Sequence, residues 1–184
     1  FLYAGRRAVQ IRRSGLPAFS LMTDATGKIA ARQVLTDPVN LLAFGFGTGL
    51  APKAPGTVGS LPGLLLAWLV LPLPLEWRVA IGVALFLVGI WICGESARRV
   101  GVHDHPGIVW DEITGMYLAL LVTPPQIALW ALCFGLFRLF DIWKPWPIRD
   151  LDHRLAGGAG IMLDDVIAAL YTALLLAFGG LYID

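Results

Sequence analysis

Charge is what this chain lacks most. Only 15% of its 184 residues are Asp, Glu, Lys or Arg, and 57% are apolar. Soluble domains carry about 25% charge, so the composition, with a mean hydropathy of +0.72, favours a membrane protein. Cysteine is scarce too. Cys93 and Cys133 are the two, both inside apolar runs and without metal-like spacing. That excludes a disulfide framework and reads each as a small buried hydrophobe. Neither a dinucleotide-binding fingerprint nor a P-loop occurs, there is no Asp-x-Asp-x-Thr/Val phospho-aspartate motif, and no internal repeat is evident. Nucleic acid is not among the expected partners.

What is present is a set of carboxylates in unusual places. Of thirteen acidic residues, Asp111, Glu112, Asp141, Asp164 and Asp165 lie beside or inside apolar runs. A charge there costs free energy unless it is paired, neutralised or bound to a metal, so a functional role is the default reading.

The apolar runs form four blocks: Leu61–Leu75, Val79–Cys93, Ile113–Phe140 broken at Pro124-Pro125, and Val166–Ile183. Each is shorter than the roughly 20 residues of a full span, although flanking residues lengthen it. If the blocks cross in alternating directions, the segments before Leu61, from Gly94 to Glu112 and from Asp141 to Asp165 share one face. Every Lys and Arg but Arg78, thirteen of the 14, then lies on or near that face, which marks it as cytoplasmic. The same folding gathers the polar motifs. The expected fold is therefore all-α: an integral membrane bundle of four to five short apolar helices with a cytoplasmic-side polar site. Residues 1–36 hold Arg6, Arg7, Arg12, Arg13, Lys28 and Arg32 but no apolar stretch of signal-peptide length, and read as a basic, disordered leader. Residues 37–184 form the membrane domain.

Four motifs carry chemistry. The glycine-rich Gly45–Gly49 and Pro55–Ser60 turns precede the first block. Glycine lets the backbone approach an oxyanion, and Thr57 and Ser60 offer hydroxyls, although Ser60 also suits a helix N-cap. His103-Asp104-His105 leads to Asp111-Glu112, which suit either cation ligation or a helix N-terminus; His103 is a candidate proton shuttle. Arg138, Asp141 and Lys144 share one helical face by their spacing of three, with Arg149 beyond Pro145. Asp164-Asp165 close the set after Gly157-Gly158-Ala159-Gly160. Ligation by oxygen alone points to magnesium or manganese and away from zinc. Asp24 and Asp37 fall outside the pattern, and their amide variants are expected to be silent.

The strings GFGTGL, PGTVGS, GVHDHPGIVWDE, FRLFDIWKPWPIRDLD and GGAGIMLDD, in this order from about Asn40 onward, resemble the phosphatidylglycerophosphatase A family of bacterial membrane lipid phosphatases. The resemblance implies an all-helical fold in the cytoplasmic (inner) membrane, crossing it several times with the active site facing the cytoplasm. It implies magnesium dependence and cleavage of the terminal phosphomonoester of phosphatidylglycerophosphate to phosphatidylglycerol and phosphate. It makes Asp111, Glu112, Asp141, Asp164 and Asp165 the acidic metal centre, with Asp111, Glu112, Asp164 and Asp165 in the catalytic roles. Thr57, Ser60, Lys144 and Arg149 become phosphate contacts. Membrane lipid is the expected surrounding partner, and the oligomeric state is not fixed. The competing reading is a cation-binding or transport protein using the same carboxylates.

Overall fold

In a computed structural model of the chain, the described residues are 31–102, 105–146, 148 and 157–179. They contain helices and no strand. Two short helices, α1 (Ala31–Thr36) and α2 (Pro38–Ala43), and a 3₁₀ segment (Gly45–Leu50) come first. Five longer helices follow: α3 (Pro55–Leu69), α4 (Leu75–Val100), α5 (Trp110–Leu121), α6 (Ile127–Trp143) and α7 (Gly158–Phe178). Of the 1–36 leader, residues 1–30 lie outside the described residues and Ala31–Thr36 is α1, with Val34 buried.

The apolar blocks locate the long helices but not their ends. α3 starts at Pro55 and not at Leu61, because proline suits the first helical position, where its missing N–H costs nothing. Its small residues serve packing. Gly56, Gly59, Ser60, Gly63 and Ala67 are buried, and a side chain on Gly59 would strike Val109, or on Gly63 the Ile113 carbonyl. α3 and α5 thus approach closely along a small-residue face. α4 outruns its block at both ends, with Glu76 in the first turn and Arg98 and Arg99 in the last, as the helix dipole favours. Gly101 ends it at φ 78, a left-handed cap. Pro124-Pro125 fall between α5 and α6, as the sequence implies.

α5 is the centre. It packs on α3, α4, α6 and α7, and α7 also closes against α4 and α6. Trp110, Asp111, Ile113 to Tyr117, Ala119 and Leu120 are all buried. Its far end is tied to the start of α4. Arg78 donates to the Leu121 carbonyl at 3.3 Å and Tyr117 donates to the Arg78 carbonyl at 2.7 Å.

Asp37 has a structural task that its sequence context did not suggest. Its Oδ1 accepts from the Val39 and Asn40 N–H groups at 2.9 and 3.1 Å, capping α2. Its Oδ2 lies 2.6 Å from Arg99 of α4. Beside it, Ser96 donates to Asn40 Oδ1 at 2.9 Å, a second tie between α2 and α4.

The outer surface is apolar. Leu65, Trp68 and Leu69 of α3, Leu87 and Trp91 of α4, Leu139 of α6 and Leu170 of α7 are all exposed. α4 and α7 are long and apolar enough to cross a membrane, with 28% and 44% of their apolar windows buried inside the protein. A soluble protein's core helix would be mostly covered; these are less than half covered, which is compatible with a membrane protein.

Candidate active site

The N-termini of α3, α5 and α7 and the C-terminus of α6 converge at one end of the bundle around a cavity of about 410 Å³. Thr57 reaches it from α3, Asp111 and Glu112 from α5, and Asp164 from α7, while Arg138, Asp141 and Lys144 line the α6 wall. Three helix N-termini present partial positive charge to this space, a setting suited to an anion. The first N–H groups of α3, at Gly56 and Thr57, have no partner within the helix by its geometry.

The carboxylates divide into two groups. Asp111, Glu112 and Asp165 each offer an oxygen, and the three atoms lie within 4.8 Å of one another. Asp111 and Glu112 are side by side in the first turn of α5, and Asp165 comes from the second turn of α7, packed directly against it. Asp111 Oδ1, Glu112 Oε2 and both Asp165 oxygens are buried without a hydrogen-bond partner among the described residues. Three ionised carboxylates so close repel by on the order of 3 kcal/mol per pair at an effective dielectric of about 20. A divalent cation removes both the repulsion and the missing partners, and an all-oxygen donor set fits a hard ion such as magnesium.

Asp141 and Asp164 are instead held by bases. Arg138 Nη1 is 2.5 Å from Asp141 Oδ2, one helical turn along α6, and 3.7 Å from Glu112 Oε1. Lys144 Nζ is 2.6 Å from Asp164 Oδ2. Of the five carboxylates expected to ligate, three gather within 4.8 Å and two are paired with bases.

The backbone is bent to make this possible. Ala54, immediately before α3, and Lys144, the C-cap of α6, both adopt left-handed conformations at φ 47 and 45. Non-glycine residues rarely do so, and such strain collects where a site needs a particular geometry. A Cβ on Gly56 would overlap Glu112 Oε1 and crowd the Arg138 guanidinium, so glycine is what lets the α3 entry touch the Glu112–Arg138 pair.

Not every expected residue arrives. Ser60 is fully buried and donates its hydroxyl to the Gly56 carbonyl at 2.9 Å; it does not line the cavity. It lies within α3 and is not its N-cap. His103 and Arg149 lie outside the described residues. Arg138, read from sequence as an ion-pair partner of Asp141, is a cavity residue in its own right. The sequence also contains Cys93-x5-Arg99, the spacing of a thiolate phosphatase loop, but both residues sit on α4. Cys93 is fully buried, 3.7 Å from the Met162 sulfur, and Arg99 is paired with Asp37 and Glu95. No phosphate loop forms there.

Residues 41–179 match the family described as Phosphatidylglycerophosphatase A. The chain is 42% identical over 151 residues to Phosphatidylglycerophosphatase A of Escherichia coli, covering 82% of this chain and 88% of that protein. It is 47% identical over 142 residues to the protein of the same name from Haemophilus influenzae, covering 76% and 87%. A Bacteroides thetaiotaomicron protein provisionally named a phosphatidylinositol-3-phosphatase is 37% identical over 145 residues, covering 74% and 90%. No solved structure matches.

Proposed function

The chain belongs to the phosphatidylglycerophosphatase A family and is a phosphoric monoester hydrolase, and from that premise we propose that it hydrolyses the terminal phosphate of phosphatidylglycerophosphate with the help of magnesium. Products are phosphatidylglycerol and inorganic phosphate. One observation carries the reading: Asp111 and Glu112, whose buried oxygens lack partners, line the same cavity as Arg138, Lys144 and the α3 N-terminus, with an Asp165 oxygen within 4.8 Å of theirs. A cation centre next to anion donors is what a phosphomonoester requires.

Asp111, Glu112 and Asp165 would hold the ion. Bound there, a hard divalent cation supplies Lewis-acid charge against the phosphate oxygens. Arg138, Lys144, the Thr57 hydroxyl and the free N–H groups of Gly56 and Thr57 hold the remaining oxygens, and strengthen as charge develops on them. Asp141 keeps the guanidinium of Arg138 turned to the cavity. Glu112 or Asp164 takes the proton of the attacking water. A bond forms from that water to phosphorus as the bond from phosphorus to the glycerol oxygen breaks, and the proton taken from the water passes from the carboxylate to the leaving glycerol oxygen.

The apolar exterior, the two helices of spanning length and the bias of Lys and Arg to the cavity end support a multi-pass protein of the bacterial inner membrane, its site facing the cytoplasm. A polar cavity at one end of the bundle suits a headgroup whose tails stay in lipid. It suits ion passage less well, since that needs access from both faces. Purified protein in detergent micelles, given phosphatidylglycerophosphate, should release phosphate and phosphatidylglycerol in equal amounts; absence of both products would refute the assignment.

A further inference from the structure

α3 and α6 both pack on α5, yet they barely touch one another. Among the described residues, α7 packs on both α4 and α6 and no α4 residue lines the space. Among the described helices the seam between α3 and α6 is thus a loosely packed side of the cavity. Ile142 marks the junction: it lines the cavity and is 71% exposed.

Away from the cavity, α6 has little bulk on the face that carries Arg138. Gly135 and Ala131 stand one and two turns below it, and both are exposed. No atom lies within 4 Å of where a Gly135 Cβ would be. On α3, Leu61 and Leu65 follow Thr57 at helical spacing and are each about half exposed. Leu64 of α3 and Phe134 of α6 are partly buried and pack against the same apolar core.

We infer that this seam is the acyl-chain site: a lipid phosphate enters sideways from the bilayer, and its chains lie between α3 and α6 over Gly135. The inference rests on the proposed lipid-phosphatase activity. It follows from continuity. A phosphate held at Arg138 and Thr57 would place its glycerol toward Ile142, and from there an open apolar path runs down the Gly135 face. Gly135 is then a specificity-determining residue with no part in the chemistry.

The test compares wild type with Gly135→Trp and the milder Gly135→Leu, with Val83→Trp on the exposed face of α4 as control. The readouts are kcat and KM for dioleoyl phosphatidylglycerophosphate in micelles, the inhibition constant of inorganic phosphate, and oligomeric mass. The expected result is a KM at least fivefold higher in Gly135→Trp and a smaller rise in Gly135→Leu. Phosphate inhibition and kcat should stay within twofold, and Val83→Trp should be unaffected. An unchanged KM, or a phosphate inhibition constant that moves in parallel, overturns the acyl-chain site while leaving the activity standing. A change of oligomeric mass in the Gly135 variants overturns it as well, because Ala131 and Gly135 would then form a contact between copies. A wild type that releases no phosphate removes the activity and this inference together.

Discussion

The Lys144 ammonium lies 2.6 Å from the Asp164 carboxylate, joining the C-cap of α6 to the second turn of α7 across the cavity wall. Lys144 reaches that position from a left-handed backbone at φ 45, a conformation natural only to glycine. Backbone and side chain therefore make separable demands. Lys144→Gly should satisfy the first and delete the second. We expect its turnover of lipid phosphate to fall by about 10²–10³, the loss typical of one donor to a developing oxyanion. Thermal stability in detergent should be equal to that of the wild type. Wild-type turnover in a folded Lys144→Gly protein would remove Lys144 from the phosphate site.

The acidic centre makes a prediction about stability as well as rate. Asp165→Asn removes one of three crowded carboxylates, so the metal-free variant should melt no lower than metal-free wild type, rising by about 2–4 °C for each kcal/mol of relieved repulsion. Magnesium should raise the melting temperature of the wild type and leave that of the variant unchanged. Activity should be lost. A variant that still gains stability from magnesium would exclude Asp165 as a ligand.

Much of this centre is legible in the sequence, for a physical reason. A carboxylate flanked by apolar residues is anomalous wherever the chain folds, so Asp111, Glu112, Asp141, Asp164 and Asp165 stand out before any contact is known. Their division is not legible. Asp141 looks equivalent to Asp165 in sequence, and only the placement of Arg138 and Lys144 separates them. Arg138 was hidden because its spacing of three from Asp141 already accounts for it locally; its approach to Glu112 joins residues far apart in the chain. The start of α3 was hidden by its glycines, which weaken a helix in isolation but here form the face packed on α5. Ser60 shows the opposite error. A hydroxyl in a glycine-rich turn suggests an oxyanion, whereas in a helix it readily bonds the carbonyl one turn back.

Gly56 lies directly against the Glu112–Arg138 pair. Gly56→Ala would place a methyl group against Glu112 and Arg138, and we expect kcat/KM to fall by about 10- to 100-fold, the scale of losses that small misplacements cause. Alanine is favoured over glycine in a helix by about 1 kcal/mol, so the melting temperature should hold. A variant with full activity would show that the α3 entry does not touch the reacting groups.

Asp37 separates fold from chemistry. Asp37→Ala removes both the α2 cap and the partner of Arg99, and should cost about 1–2 kcal/mol of stability with kcat unchanged. Asp37→Asn keeps a capping oxygen and should lose less. Equal melting temperatures for wild type and Asp37→Ala would contradict the tie between α2 and α4.

The most direct test of the central claim is phosphate release from phosphatidylglycerophosphate after chelation. Protein stripped with EDTA should be inactive, and magnesium should restore wild type fully while leaving Asp111→Asn and Asp165→Asn inactive. Undiminished release in EDTA, or restoration of both variants by magnesium, would contradict a cation held by Asp111, Glu112 and Asp165.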